Sequence, residues 1–245
     1  MKKIALTALI ILASIESVFA SDDIFYETLS KQVINATVCI TMDTTFTDYY
    51  YHRLAIFVEE PAQSIDVLML GDSLTENGGE WSSHFNRHEI KFLNRGINGD
   101  TTSGILYRLD EVKRHHPKKI FLLAGINDLA NNVLPDTIAK NTIAILQELH
   151  KTLPHTQIYL QTLLPVDEGY NRYKGLRGKT SLVDQVNSRL KAIPTALPYI
   201  TLIDLNPYFR ENNSNTLKRS ITRDGLHITP EGYLLWAEVI KGYID

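Results

Sequence analysis

The sequence contains a single cysteine, Cys39, among its 245 residues. An intrachain disulfide is therefore impossible, and there is no set of cysteines to hold a structural zinc ion. The histidine and acidic residues show no metal-ligand spacing either, so we predict neither a metal nor a cofactor. Cys39 precedes the regular part of the sequence, and we assign it no catalytic role.

An excess of positive charge is also missing. The formal net charge is −3 at pH 7, from 25 lysine and arginine residues against 28 aspartate and glutamate residues. Nucleic-acid-binding proteins usually carry a basic patch, so this composition argues against a nucleic-acid partner. The glycine pattern G-x-G-x-x-G of dinucleotide-binding sites is absent too. With 44 % hydrophobic residues, the composition is that of an ordinary globular protein.

Long apolar runs are rare, and the clearest one lies at the N-terminus. Lys2 and Lys3 precede an apolar run over residues 4–15, which is short for a transmembrane helix. Small residues then end the segment at Ala20. This pattern is typical of a secretory signal peptide over residues 1–20, and a buried N-terminal helix is the alternative. We therefore expect an exported protein, periplasmic or extracellular, with no stable membrane insertion.

The remaining chain predicts one α/β domain. Residues 21–46 have little pattern and are interpreted as an irregular lead-in to a domain over 47–245. Apolar runs typical of buried strands occur at 65–70, 91–95, 118–124, 157–164 and 200–205. Helical patterns separate these runs, which indicates a parallel sheet covered on both faces, a three-layer α/β/α sandwich. In such sheets the active site lies at the carboxyl ends of the strands.

Two helix boundaries can be predicted in detail. Thr47 is expected to cap a helix that runs to Pro61. Thr229, followed by proline, is expected to cap the last helix. In that helix we expect three apolar side chains to face inward, those of Leu234, Leu235 and Val239.

The first strand ends in Gly-Asp-Ser, with Ser73 as its last residue. Ser73 and Glu76 match a capping box, in which the serine caps a helix and the glutamate reaches back to it. A serine at a strand-to-helix turn also presents its hydroxyl at the edge of the sheet, where it can act as a nucleophile. The two roles are compatible, and the local sequence alone favours the cap.

The next two strands also end in groups that could bind an oxyanion. In NRGINGD, Gly96 could offer its backbone N–H, and Asp100 could cap the following helix. In AGIND, the side-chain amide of Asn127 could be a second donor. Tight turns between strand and helix are the alternative for both segments.

The segment RDGLHIT supplies the groups that a serine nucleophile requires. Asp224 and His227 are three residues apart, just before the cap of the last helix. Histidine is the base that activates a serine hydroxyl, and a carboxylate on its other ring nitrogen holds the required tautomer. This loop can therefore deliver both groups to Ser73.

Together these segments resemble the four blocks of the SGNH/GDSL hydrolase superfamily. The blocks stand here as GDSL at 71–74, Gly96 within NRGINGD, GIND at 125–128 and DGLH at 224–227. The sequences GDTTSGILYRL and LLPVDEG are most similar to the branch that contains the catalytic subunits of intracellular platelet-activating-factor acetylhydrolase and bacterial O-acetylesterases. The resemblance implies a flavodoxin-like, five-stranded sheet of order 2-1-3-4-5 without a lid domain.

The resemblance also implies the roles of the site residues. It makes Ser73 the nucleophile, His227 the base and Asp224 the residue that orients this base. The oxyanion hole would consist of the Ser73 and Gly96 N–H groups and the Asn127 side chain. Four further block residues are interpreted as supporting the fold around the site, namely Asp72, Arg95, Asp100 and Asp128.

The predicted function is that of an exported serine esterase that hydrolyses short acyl esters, with acetyl the favoured group. The substrate would be a small-molecule or glycan ester, such as O-acetylated sialic acid. Arg172 and Arg177 lie in a polar segment after the fourth strand and could meet an anionic substrate, although a solvated loop is the alternative. A lysophospholipase or thioesterase is a second hypothesis, and a non-catalytic glycan-binding module is a third.

Overall fold

The computed structural model describes residues 47–244, and the predicted signal peptide and the predicted lead-in lie outside this range. The strands are β1 (Val67–Gly71), β2 (Phe92–Gly96), β3 (Lys119–Leu123), β4 (Gln157–Gln161) and β5 (Ile200–Ile203). All four pairings between neighbouring strands are parallel, and the order across the sheet is β2-β1-β3-β4-β5. The predicted fold class and strand order are confirmed.

Helices follow the strands in the order that a doubly wound sheet requires. The α-helices are α1 (Asp48–Glu59), α2 (Ser73–Glu76), α3 (Ser82–Phe85), α4 (Thr102–Tyr107), α5 (Leu109–Lys113), α6 (Ile126–Ala130), α7 (Pro135–Thr152), α8 (Thr180–Ala196), α9 (Asn206–Phe209) and α10 (Pro230–Ile240). Short 3₁₀ helices are η1 (Glu168–Tyr170), η2 (Lys174–Leu176), η3 (Arg219–Ile221) and η4 (Lys241–Tyr243). Between β2 and β3 the chain forms two short helices, α4 and α5, rather than one long helix.

The sheet is apolar on both faces because helices cover both. In β1 and β3, alternate side chains enter different cores, as the two-residue period of a strand requires. Leu68 and Leu122 belong to one core cluster, whereas Met69 and Phe121 belong to the other. All five residues of β1 are buried. Nearly continuous apolar strands were thus the correct signal for a covered parallel sheet.

The first and last helices begin where the sequence predicted, although the Thr229 side chain makes no capping hydrogen bond at the start of α10. Thr47 caps α1 by accepting a hydrogen bond from the Tyr50 N–H at 3.2 Å. In α10, Leu234 is 56 % exposed, so its predicted inward position is wrong, whereas Leu235 and Val239 are partly buried against the core as predicted. The fully buried part of this face carries Tyr233, Trp236 and Ile240. Its position is fixed by the aromatic groups, since the Trp236 indole N–H donates to Gln161 Oε1 at 2.7 Å.

The strand order places β1 between β2 and β3, so the strand order reverses direction at β1. Gly71 pairs with Gly96 and with Leu123, so the carboxyl ends of these three strands are level. Such a position is where ligands bind in open α/β sheets. The segments that follow the three strands therefore meet at one edge.

Candidate active site

Ser73 is the first residue of α2, directly after β1. The helix cap is Asp72, whose Oδ1 accepts a hydrogen bond from the Leu74 N–H at 2.9 Å. The predicted capping box is therefore wrong. Glu76 accepts hydrogen bonds from the Asn98 N–H and from the Tyr49 hydroxyl, so it links α2 to the turn after β2 and to α1. Ser73 is left free of a capping role.

The structure brings Ser73, His227 and Asp224 into one hydrogen-bonded chain. His227 Nε2 lies 3.0 Å from Ser73 Oγ, and Nδ1 lies 2.9 Å from Asp224 Oδ2. An ionised carboxylate can only accept hydrogen bonds, so this contact places a proton on Nδ1. Nε2 is then unprotonated and faces the serine hydroxyl. This is the geometry of a nucleophile, its base and the group that orients the base.

The loop that carries Asp224 and His227 is held by its own backbone. Asp224 Oδ1 accepts hydrogen bonds from the N–H groups of Leu226, at 3.0 Å, and His227, at 2.8 Å. The Thr222 hydroxyl accepts from the Gly225 N–H and donates to the His227 carbonyl. Gly225 is required there, because its φ is +84° and a Cβ would lie 2.3 Å from the Asp167 carbonyl oxygen.

These contacts keep Asp224 ionised. Partial burial acts to raise the pKa of Asp224. Hydrogen bonds from the His227 ring, the two backbone amides and the Tyr173 hydroxyl outweigh it and lower the pKa to about 2. Asp224 is therefore a carboxylate at every pH at which a histidine can act as a base.

Asn127, at the start of α6, is close enough to Ser73 to line the same cavity. Its Nδ2 group donates to the Asp100 carbonyl at 2.9 Å. A side-chain amide has two N–H groups, so the second can be directed at an oxyanion while the first fixes the rotamer. The geometry is consistent with the predicted role of Asn127.

The predicted role of Gly96 does not agree with the structure. The Gly96 N–H is buried and donates to Asn94 Oδ1 at 2.9 Å, so it is not available to an oxyanion. Gly99, three residues later, is exposed and has a φ of +80°. Its N–H has no hydrogen-bond acceptor within residues 47–244. The turn after β2 therefore offers the Gly99 amide rather than the Gly96 amide.

Behind the strand ends lies a buried set of charges. Arg108, which the sequence did not single out, donates to Asp100 Oδ2 at 2.9 Å and to the carbonyl oxygens of Gly71 and Arg95. Asp128 accepts from the Thr102 N–H at 2.9 Å and from the hydroxyl of the same residue. These contacts join β1, β2, α4 and α6, so the predicted supporting role of Asp100 and Asp128 agrees with the structure.

A cavity of about 410 Å³ opens beside Ser73 and His227. Arg172 lies in its wall, as predicted for a substrate contact. Arg177 does not: its Nε donates to Asn171 Oδ1 at 2.7 Å, on the outside of the same segment. The wall includes side chains that sequence reasoning missed, namely Asn98, Ala130, Tyr173, Lys174, Leu176 and Leu226. Leu226 could have been found from its place inside the DGLH block, but the turn geometry of 168–179 has no comparable signal.

Neither a metal centre nor a membrane span is found in the part of the chain that the structure describes. Residues 47–244 contain no group of three or more histidine, cysteine or acidic side chains that could hold a metal ion. The same residues contain no helix long and apolar enough to cross a membrane.

A serine, a histidine and an aspartate in this arrangement, at the carboxyl edge of a parallel sheet, define an α/β serine hydrolase. Comparison with known proteins agrees with this class. The model of the GDSL-like Lipase/Acylhydrolase family matches residues 69–235. The chain belongs to this family, which is also known as the SGNH family, and it is a carboxylic ester hydrolase.

A relative in sequence supports the family, and two solved structures share the fold. Platelet-activating factor acetylhydrolase IB subunit alpha2 of Rattus norvegicus is 31 % identical over 173 residues, covering 69 % of this chain and 71 % of that protein. A GDSL-like lipase from Bacteroides thetaiotaomicron shares the fold with a TM-score of 0.66, at 21 % identity, over 80 % of this chain and 96 % of the other. A mutant of an acetyl-xylooligosaccharide esterase from Geobacillus Stearmophilus has a TM-score of 0.59, at 18 % identity, over 76 % and 97 %.

Proposed function

We propose that this chain is an exported serine esterase that removes a short acyl group, acetyl in the favoured case, from a carbohydrate ester. The observation that carries the proposal is the hydrogen-bonded chain from Ser73 Oγ through His227 to Asp224, beside an open cavity. A non-catalytic glycan-binding module has no use for this arrangement, and we set that hypothesis aside.

The chemistry follows from the geometry. Ser73 Oγ attacks the ester carbonyl carbon while His227 Nε2 takes the hydroxyl proton. The negative charge on the carbonyl oxygen is stabilised by the Ser73 N–H, the Asn127 amide and the Gly99 N–H. His227 then gives the proton to the leaving alcohol oxygen, and an acyl-serine remains. Water, activated by the same imidazole, releases the acid and restores the serine.

A short acyl group suits the walls of the cavity. Only three of the lining side chains are apolar aliphatic groups of the kind that an alkyl chain would contact, those of Ala130, Leu176 and Leu226. The names of two of the relatives described above, the platelet-activating factor acetylhydrolase and the acetyl-xylooligosaccharide esterase, share the acetyl group. Both observations favour acetyl over a long acyl chain, and so favour a deacetylase over a lysophospholipase.

The charge of the cavity favours an acidic acyl acceptor. Arg172 and Lys174 lie in its wall, and both are exposed. A sugar carboxylate, such as that of an O-acetylated sialic acid, would complement these two cations. Export, proposed from the signal-peptide pattern of residues 1–20, would place the enzyme where such glycans occur. Sequencing the N-terminus of the mature protein from periplasm and medium tests the export: a chain that still begins at Met1 contradicts it.

The decisive experiment uses the purified protein and its Ser73→Ala variant. The wild type should hydrolyse p-nitrophenyl acetate and should be labelled by a fluorophosphonate probe. Ser73→Ala should lose both, with its thermal unfolding curve unchanged, because the hydroxyl is the nucleophile. Activity at the wild-type level in Ser73→Ala would contradict the assignment of Ser73 as the nucleophile.

A second comparison tests the acyl group and the acceptor. Rates on p-nitrophenyl acetate, butyrate and octanoate should fall as the chain lengthens, and a rise would favour the lysophospholipase or thioesterase hypothesis. Acetylated neutral and acidic sugars should then be compared. The Arg172→Ala variant should lose its preference for the acidic sugar while it keeps its rate on p-nitrophenyl acetate. Arg177→Ala, whose guanidinium faces Asn171, is the matched control.

A further inference from the structure

The wall of the cavity opposite Asn127 is a segment that we call the strap, residues 168–179. Its two ends are fastened to the body of the protein. The Glu168 carboxylate accepts hydrogen bonds from the N–H groups of Gly178 and Thr180. Lys179 Nζ donates to the Leu129 carbonyl at the end of α6 and to Asn132 Oδ1. The strap is thus closed on itself and attached to the helix that begins at Ile126.

The middle of the strap is packed inward. Leu176 is buried in the core cluster that also contains Leu68 and Leu122. Gly175 passes so close to α6 that a Cβ there would lie 2.8 Å from the Ala130 carbonyl oxygen. These contacts hold η2, which begins directly after Tyr173, at a defined height above the sheet. The backbone next to Tyr173 is therefore held in place by these packing contacts.

The hydroxyl of Tyr173 lies inside the hydrogen-bonded pair of Asp224 and His227. Its oxygen is 2.8 Å from Asp224 Oδ2 and 2.9 Å from His227 Nδ1. Those two atoms are themselves 2.9 Å apart, so the three atoms form a nearly equilateral triangle. The Tyr173 ring also packs with its edge against the imidazole, at 5.5 Å between ring centroids and an angle of 74°.

We propose that Tyr173 is a positioning residue for the Asp224–His227 pair. Its hydroxyl fixes the carboxylate and the imidazole relative to each other, and the strap fixes the tyrosine. The proposal rests on the esterase function proposed above, since it assigns a role within that reaction. Nothing in the four sequence blocks points to this residue, because it lies outside all of them.

The donors and acceptors of the triangle can be assigned. The Tyr173 hydroxyl has one proton, and a carboxylate oxygen is its strongest available acceptor, so it donates to Asp224 Oδ2. The Nδ1–H of His227 is then shared between Asp224 Oδ2 and the tyrosine oxygen. Partial burial and the adjacent Asp224 carboxylate raise the pKa of Tyr173, so the hydroxyl stays protonated through the neutral range. Arg172 is the nearby cation, and its hydrogen bond to the Tyr173 hydroxyl and its charge both oppose this shift.

This arrangement has two consequences for the reaction. The imidazole has two acceptors for its Nδ1–H, which restrain rotation of the ring and keep Nε2 aimed at Ser73. The Tyr173 proton also withdraws charge from Asp224 Oδ2, so the carboxylate holds the imidazolium less tightly. The tyrosine therefore orients the base and limits how strongly it retains its proton.

The test compares Tyr173→Phe with the wild type. The variant keeps the ring and loses only the hydroxyl. With p-nitrophenyl acetate, kcat should fall about threefold to tenfold, the range of one ordinary net hydrogen bond, and KM should stay within about twofold. The acid limb of the kcat/KM profile should move to higher pH, because a carboxylate with one donor fewer holds the imidazolium more tightly.

Tyr170→Phe is the matched control, because Tyr170 lies in the same strap. Its hydroxyl makes no hydrogen bond to residues 47–244. This control should match the wild type in kcat and in pH profile, and thermal unfolding of both variants checks the fold. If the wild type is active and Tyr173→Phe has the same kcat and the same acid limb, the role of Tyr173 is overturned while the esterase function stands. A wild type inert towards both ester and fluorophosphonate overturns the proposed esterase together with it.

Discussion

At the residue scale, the site depends on side chains that are held by one hydrogen bond and use another polar atom in the reaction. Asn127 shows this, because one N–H of its amide is held by the Asp100 carbonyl. The second N–H of this amide is thereby fixed in direction, so the side chain loses no conformational entropy when the oxyanion forms. Asp224 shows the same principle: its Oδ1 is held by two backbone amides, which leaves Oδ2 to face the imidazole. Fixed donors and acceptors stabilise a transition state better than mobile ones.

Asn127→Ala tests the oxyanion role directly. We expect kcat on p-nitrophenyl acetate to fall on the order of 10²–10³-fold with little change in KM, because the charge that the amide stabilises exists only in the transition state. Steady-state kinetics provide the measurement. Asn131→Ala, at the end of the same helix and outside the cavity wall, is the control and should be fully active. A fall of less than threefold for Asn127→Ala contradicts the role.

The choice between Gly96 and Gly99 shows what a motif leaves open at this scale. Both glycines stand in NRGINGD, and the sequence does not say which amide is free. The answer depends on Asn94, whose side-chain oxygen takes the Gly96 N–H. Asparagine often bonds to its own backbone two residues on, so the spacing from Asn94 to Gly96 was an available signal.

At the element scale, the strand-to-helix turns decide where the nucleophile stands. Glu76 and Gly96 lie where α2 packs on β2, and the two backbones touch. Sequence reasoning placed a helix after β1 correctly, but it chose Ser73 as the cap instead of Asp72. The error was one residue. It mattered because it gave Glu76 a local partner, whereas Glu76 contacts Asn98 and Tyr49, 22 and 27 residues away, and forms an ion pair with Arg53.

Gly96→Ala tests the contact between β2 and α2. The added Cβ would lie 2.1 Å from the Glu76 nitrogen and 2.8 Å from the Asp72 carbonyl oxygen, so α2 must shift. We expect the free energy of unfolding to fall by about 1–3 kcal/mol and the esterase activity to fall with it, since α2 carries Ser73. Urea denaturation and p-nitrophenyl acetate kinetics measure the two effects.

The control for this change is Gly242→Ala. A Cβ at Gly242 would meet nothing within 4 Å. Its stability should therefore stay within about 0.5 kcal/mol of the wild type, with full activity. If Gly96→Ala behaved in the same way, the close packing of α2 on β2 would not hold in solution.

At the scale of the whole molecule, the parallel sheet explains how much could be predicted. Ser73 and His227 are 154 residues apart, yet Ser73 directly follows β1 and His227 lies in the loop before α10, and the two meet at the carboxyl edge of the sheet. Strand order, core and reacting groups therefore came from the periodicity and the four blocks. Tyr173 did not, because its position depends on how Glu168, Leu176 and Lys179 fold the strap, and such long-range contacts have no local period.

The same fold buries charge next to the nucleophile, and this has a cost that depends on pH. Asp72 is completely buried, and its Oδ2 has no hydrogen-bond partner within residues 47–244. Burial raises the pKa of Asp72 from 3.8 to about 7, and the carboxylates of Asp100 and Asp128 act in the same direction. In the unfolded chain the group regains its ordinary pKa. Between the two values the folded protein binds a proton that the unfolded chain has released.

This proton makes stability fall as the pH rises. The contribution is complete below pH 3.8 and is lost as the pH passes about 7, where the buried carboxylate must ionise. Asp72→Asn keeps an oxygen for the Leu74 N–H and cannot ionise. The variant should therefore gain stability over the wild type as the pH rises from 5 to 8, by at most about 3 kcal/mol, because roughly two pH units of this range lie below the folded-state pKa of about 7. Urea denaturation at each pH measures this difference, and a constant gap between the two proteins would show that Asp72 does not take up a proton on folding.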